Sequence, residues 1–260
     1  MSALGLLARH RRVLVAATLS EIRGRYAGTV LGTAWAFVYP TLFLVVYSAV
    51  FILIFDVGDG HASAMDTVLL IAAGLIPFLG FSEALGAATG SVVANRNLVK
   101  NTLFPIELIP VRAVLAGSVT MMVGLPLVLV VLWVRGTIHA TQALLPLIVL
   151  LQLLFTVGIV WALSAINVFI KDLGQIVAIL ILMLMITSPI AFSAASAPAS
   201  LRPFLYLNPL YFLIPLYKDT LVQGTVPATD LAVFGALTVV AFAIGYFVFG
   251  RLKAILVENV

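Results

Sequence analysis

The chain has 260 residues, 63% of them hydrophobic and 9% charged, with a net charge of +4 and no cysteine. A soluble domain carries about 25% charged residues, so this composition excludes an ordinary soluble globule, and the missing cysteines exclude disulfides, a thiol nucleophile and a thiolate metal site. The basic residues lie in short flanks between apolar runs, a pattern of membrane topology and not the basic stripe of a nucleic-acid binder.

Residues 1–30 interleave Leu4, Leu6, Leu7, Val13, Leu14 and Leu19 with Arg9, Arg11, Arg12, Arg23 and Arg25. That mixture predicts an amphipathic helix lying in the membrane interface with its arginines toward lipid phosphates. A cleaved signal peptide fits less well, because the apolar core from Val13 to Leu19 is short and Glu21, Arg23 and Arg25 follow it. The apolar run Ala34 to Phe55 is uncharged, and at ~1.5 Å per residue it covers the ~30 Å hydrocarbon core. Arginines before it and Asp56 and Asp59 after it place its start in the cytoplasm.

A second span is expected over Thr67 to Ala94, with Pro77 inside it and Gly86 and Gly90 at a spacing that admits a close helix neighbour. Glu83 lies within this span. An ionisable group at that depth is costly and faces protein or water, either as a functional group or hydrogen-bonded between packed helices. Asn95 to Glu107 reads as a polar cytoplasmic connection, broken at Phe104 and Pro105, that leads into a third span ending at Val134. Arg112, near the inner end of that span, is expected to snorkel to the headgroups.

Arg135 to Gln142 is a short outer loop, Ala143 to Ile166 the fourth span, Asn167 to Asp172 an inner turn, and Leu173 to Phe192 the fifth span. Residues 193–229 hold two apolar pieces too short to cross, punctuated by Pro198, Pro203, Pro209, Pro215 and Pro227. Such backbone reads as re-entrant helices forming an outer gate, or as a loop resting on the interface through its tyrosines. A sixth span, Asp230 to Gly250, ends at Arg251 and Lys253. Ten basic residues then fall on the inner side (Arg9, Arg11, Arg12, Arg23, Arg25, Arg96, Lys100, Lys171, Arg251 and Lys253) against Arg135, Arg202 and Lys218 outside. That bias predicts six spans with both termini cytoplasmic.

The fold class is therefore an all-α integral membrane protein. It has one transmembrane domain over 1–260, comprising an interfacial helix at 1–30, a six-span bundle at 34–250 and a re-entrant gate at 193–229. No Ser-His, His-Glu or paired-carboxylate spacing suits an enzyme, and His10, His61 and His139 lack the i,i+4 partner of a metal site. No lysine follows a glycine, so there is no P-loop and any ATP is handled by another chain. Tyr39, Phe43, Tyr47, Phe51 and Phe55 recur at every fourth position of the first span, a stripe that spirals by ~40° per step. Their faces suit a passage for sugar chains, or else plain packing or lipid contact.

Several blocks carry a resemblance: EIRGRYAGTVLGTAWAFVYP, GLIPFLGFSEAL, NRNLVKNTLFPIELIP, NVFIKDLGQIV, SPIAFS and NPLYFLIPLYKDTL. In this order, over nearly the whole chain, they resemble the membrane subunit of type-2 ABC exporters, most closely those of O-antigen and teichoic-acid polysaccharides. The resemblance implies a homodimer in the bacterial inner membrane that works with two copies of a separate ATPase, which binds ATP and magnesium. It implies export of an undecaprenyl-diphosphate-linked polysaccharide, with no cofactor on this chain and no nucleic acid. It also assigns roles: Tyr39, Phe43, Tyr47 and Phe51 to the channel, where Glu83 joins them as the ionisable group within the second span, and Pro209, Tyr211 and Tyr217 to the outer gate. Asn95, Arg96, Asn97, Leu98, Lys100, Phe104, Pro105 and Glu107 fall in the ATPase coupling segment, with Arg23, Arg25 and Tyr26 of the interfacial helix near that contact. A drug or lipid exporter of the same type, and an ATPase-independent channel, are the alternatives.

Overall fold

The computed structural model describes residues 3–53, 63–99, 105–192 and 200–259. All regular structure among them is helical. The chain opens with α1 (Ala3–Arg9) and α2 (Arg11–Tyr26), then reverses at Gly28, whose φ of 78° is the left-handed region that glycine enters without strain. The first long apolar helix is α3 (Trp35–Leu53), and α4 (Ala64–Thr89) is the second. The start of α4 is fixed by a reciprocal cap: Asp66 N donates to Ser63 Oγ and Ser63 N donates to Asp66 Oδ2, both at 3.3 Å.

Two single turns, α5 (Ser91–Ala94) and α6 (Arg96–Val99), follow Gly90. The third long segment is α7 (Leu108–Gly117) continued by α8 (Val119–Val134) across a break at Ser118. After it come α9 (Leu145–Asn167) and α10 (Leu173–Thr187), then the short α11 (Arg202–Leu205) and α12 (Leu210–Lys218). A π-turn over Asp219–Gln223 leads to the final helix, α13 (Ala228–Asn259).

Five segments among the described residues are long and apolar enough to cross a bilayer: Gly32–Leu53, Ala64–Thr89, Leu108–Val134, Ala140–Asn167 and Ala228–Lys253. The expected fifth span is shorter than the sequence reading, because α10 stops at Thr187 with Pro189 close behind. Its 15 residues rise only ~22 Å.

α4 is the central post. Its window is 78% buried, against 17% for Gly32–Leu53 and for the final helix. Around it stand α3, α7, α8, α9, α10 and α12. Small residues allow the closest approaches. A Cβ on Gly80 would overlap Met121, and one on Gly117 would overlap the Ala84 backbone, so Gly80 and Ala84 of α4 seat the α7–α8 segment. At the α9–α13 crossing a Cβ on Gly158 would stand 2.5 Å from the Ala241 carbonyl carbon, and one on Gly245 would overlap the Gly158 carbonyl oxygen. Among the described residues nothing makes the expected close contact at Gly86 and Gly90: a Cβ on Gly86 would meet Ile181 at 3.9 Å, and one on Gly90 would meet nothing within 4 Å.

Candidate functional site

The last turn of α2 lies across the ends of α3, α4 and α8. Trp35 and Tyr39, four apart on α3, face Glu83 and Ala87, four apart on α4. With Arg25, Tyr26 and Thr120 they line an open cleft of 450 Å³. Glu83 Oε2 accepts a 2.8 Å hydrogen bond from Thr120 Oγ1 and meets Arg25 Nη1 at 3.5 Å. Both charged side chains remain partly open, 27% for Arg25 and 22% for Glu83. Burial pushes the Tyr26 phenol above its ordinary range, so this hydroxyl stays a neutral donor. The structure thus joins residues assigned separately from the sequence: Tyr39 and Glu83 of the channel set, and Arg25 and Tyr26 of the interfacial set. Arg23 points to solvent and takes no part in the lining.

A second, more polar cleft of 440 Å³ lies on the other side of Arg25, lined also by Ala17, Ser20, Glu21, Gly24, Asn95 and Arg112. Arg112 does not snorkel to headgroups as the sequence implied. Its Nε meets Glu21 Oε2 at 3.1 Å and its Nη2 donates to Asn95 Oδ1, so only 12% of the side chain is open. A carboxylate on α2 and an amide beyond α5 hold it more firmly than water does, and it acts as a strut under α2.

The aromatic stripe of α3 forms a ladder. Ring centroids are 6.2 Å apart from Tyr39 to Phe43, 6.2 Å from Phe43 to Tyr47 and 4.7 Å from Tyr47 to Phe51. Tyr39, 46% exposed, stands at the cleft, whereas Phe43, Tyr47 and Phe51 are half-buried against the core of the same chain.

In the segment assigned to coupling, Arg96 and Asn97 are exposed on α6 and Leu98 packs inward. Lys100 and Phe104 lie outside the described residues. Pro105 is half-buried, and Glu107 turns into the bundle. Its Oε1 accepts a 2.6 Å bond from Lys253 Nζ, and its carbonyl accepts a 2.9 Å bond from Trp161 Nε1. Glu107 therefore ties α7 to α9 and to the end of α13.

At the opposite end of α4, Pro209 precedes α12, and Tyr211 packs edge-on against Tyr206 at 5.2 Å. Tyr217 is fully buried. Its hydroxyl donates to Gln152 Oε1 at 2.7 Å, and Gln152 Nε2 donates to the Pro77 carbonyl at 2.9 Å. Lys218, counted from sequence among the outer basic residues, is buried. Its Nζ donates to the carbonyls of Pro189, Ile190 and Phe192 at 3.0, 3.2 and 3.3 Å. Sequence reasoning missed Thr120, Trp35, Gln152 and Lys218 as site or anchoring residues. The one available signal was the four-residue spacing of Trp35 and Tyr39. Among the described residues no group of three His, Cys, Asp or Glu side chains is placed to hold a metal ion.

The ABC-2 type transporter profile matches residues 12–221. The chain belongs to the ABC-2 type transporter family. It is 27% identical over 243 residues to an O-antigen export system permease protein, RfbA, of Klebsiella pneumoniae, covering 93% of this chain and 92% of that protein. It is 29% identical over 240 residues to the RfbA protein of Myxococcus xanthus, covering 90% of each chain. It is 27% identical over 233 residues to a polysialic acid transport protein, KpsM, of Escherichia coli, covering 87% of this chain and 88% of that one. With its apolar helices, this family membership makes the chain a multi-pass membrane protein and the membrane subunit of an ABC exporter.

Proposed function

We propose that this chain is the transmembrane channel subunit of an ATP-driven exporter of lipid-linked polysaccharide. Two copies assemble with two copies of a separate ATPase in the bacterial inner membrane, and both termini lie in the cytoplasm. The cargo is an O-antigen-like glycan on undecaprenyl diphosphate. The observation that carries this reading is the alignment along about nine-tenths of the chain with proteins named for O-antigen export and polysialic acid transport. The aromatic ladder supports it: Tyr39 opens onto the cleft, and Phe43 and Tyr47 continue the row of rings, a surface that stacks on pyranose C–H faces without fixing one sugar.

On this reading α6, with Arg96 and Asn97 exposed, presents the inner connection to the ATPase, and Glu107 fixes that connection to α9 and α13. The span bases near Arg25 and Glu83 form the cytoplasmic mouth. α11 and α12 are the re-entrant pair at the outer face, held by Tyr217 and Lys218, and α10 belongs to the fifth of six crossings.

The test is ATP-dependent movement of a lipid-linked glycan in proteoliposomes that contain the partner ATPase. Wild type moves the glycan, and the triple variant Tyr39→Ala, Phe43→Ala, Tyr47→Ala assembles and hydrolyses ATP but transports poorly. Movement of a small hydrophobic compound or a phospholipid, with no movement of glycan, overturns the cargo. Passage without any ATPase overturns the exporter.

A further inference from the structure

Arg25 is the weaker of two claimants on one oxygen. Thr120 holds Glu83 Oε2 at 2.8 Å, and the guanidinium stands off at 3.5 Å with 27% of its side chain open. Arg25 also walls both clefts at this end of the molecule. A guanidinium with donors to spare in a half-open cleft is suited to a bidentate oxyanion, and phosphate oxygens match its fork. Around it stand the flat faces of Tyr26, Trp35 and Tyr39.

The cleft also runs out onto an apolar rail. Trp35, Tyr39, Leu42 and Val46 recur at helical spacing on one face of α3 and are 38%, 46%, 56% and 63% exposed. An anionic head, a saccharide and a long hydrocarbon tail would each meet matching chemistry along this one path.

We propose that this cleft binds the phosphate head of a prenyl-linked glycan, with Arg25 exchanging the Glu83 carboxylate for a phosphate oxygen while the prenyl chain lies along the Trp35–Val46 face of α3. This inference rests on the polysaccharide-export reading and names its point of loading. In the empty cleft Glu83 neutralises the arginine. When the phosphate arrives, Thr120 keeps the carboxylate in place and Arg25 swings to the stronger partner. Glu83 therefore opposes the ligand by like charge, which makes the empty state the default. Loading also unties the last turn of α2 from α4, leaving α2 held by Glu21 and Arg112 beside Asn95.

The experiment uses the full-length chain in phosphatidylcholine nanodiscs, titrated with undecaprenyl diphosphate, undecaprenol and inorganic diphosphate. Binding is read as a change in tryptophan fluorescence, and Trp35→Phe serves as the blank. Undecaprenyl diphosphate is expected to bind, and undecaprenol at least about tenfold more weakly. Arg25→Gln is expected to lose about tenfold or more in affinity, and Arg25→Lys to recover part of it. Glu83→Gln is expected to bind about three- to tenfold tighter, a gain that misfolding does not produce.

Weaker binding by Glu83→Gln overturns the exchange, because it would make the carboxylate part of the grip. Unchanged binding by Arg25→Gln overturns the site. Inorganic diphosphate competing on equal terms overturns the lipid source and assigns the cleft to a soluble phosphate. Each of these failures is separable from failure of the export reading, because glycan movement by the wild-type complex is scored without reference to this contact.

Discussion

Tyr217 donates its phenolic proton to Gln152 at 2.7 Å in a place where neither side chain reaches solvent. Gln152 passes the connection on to the Pro77 carbonyl at 2.9 Å, so one polar chain joins α12, α9 and α4 inside an otherwise apolar core. A buried polar group is costly when its partner is removed, and much less so when both are replaced together. Tyr217→Phe is therefore expected to destabilise the protein by about 1–3 kcal/mol. Adding Gln152→Leu to Tyr217→Phe is expected to cost less than the sum of the two single changes, read from unfolding midpoints in detergent.

The α9–α13 crossing supplies a second test. Gly245→Ala puts a methyl group against the Gly158 carbonyl oxygen and is expected to cost about 1–3 kcal/mol by overpacking. Gly86→Ala and Gly90→Ala meet no such obstacle and are expected to stay within about 0.5 kcal/mol of wild type. Thermal stability of the three variants side by side separates a packing glycine from an incidental one.

Lys218 is expected to behave as an anchor and not as a surface charge. Lys218→Met strips the donor from three carbonyls just past α10 and is expected to lower stability by about 1–3 kcal/mol. Lys171→Met, at an exposed position, is the comparison and is expected to change stability by less than about 0.5 kcal/mol. Protease accessibility of the segment between α10 and α12 is expected to rise in Lys218→Met alone.

The Glu107–Lys253 pair is open on one side only, with 10% of the glutamate and 47% of the lysine side chain exposed. Solvent screening at the lysine limits the coupling to about 1 kcal/mol in a double-mutant cycle of Glu107→Gln and Lys253→Met. Lys253→Met alone is expected to cost more than Glu107→Gln alone, because it leaves a buried carboxylate without its cation.

The sequence was most informative where length and apolarity decide the outcome. The five long apolar segments were readable because a bilayer-length run without charges has few other uses. Boundaries moved where local chemistry outweighed hydropathy: Ser63 and Asp66 start α4 three residues before the expected Thr67, and Gly90 ends it five residues before Ala94. Charges were harder to place. Arg112 and Lys218 look from their neighbours like a headgroup contact and an outer-loop charge, yet Glu21 and Asn95 hold the first, and three carbonyls hold the second. Those partners lie 17 or more positions away, so no window along the chain reveals them. The cleft was readable only in pieces. Glu83 stood out as a carboxylate in an apolar run, whereas Thr120, which holds it, looks like any hydroxyl in a helix.

The burial of α4 bears on how the protein is made. This helix is apolar enough to enter lipid by itself, with a mean hydropathy of 2.0, yet most of its surface ends up against its own siblings. Insertion and enclosure are then separate events, the first governed by hydrocarbon and the second by fit. A fault at Gly80, Pro77 or Glu83 leaves threading through the bilayer intact and appears later, as a bundle that fails to close around its post.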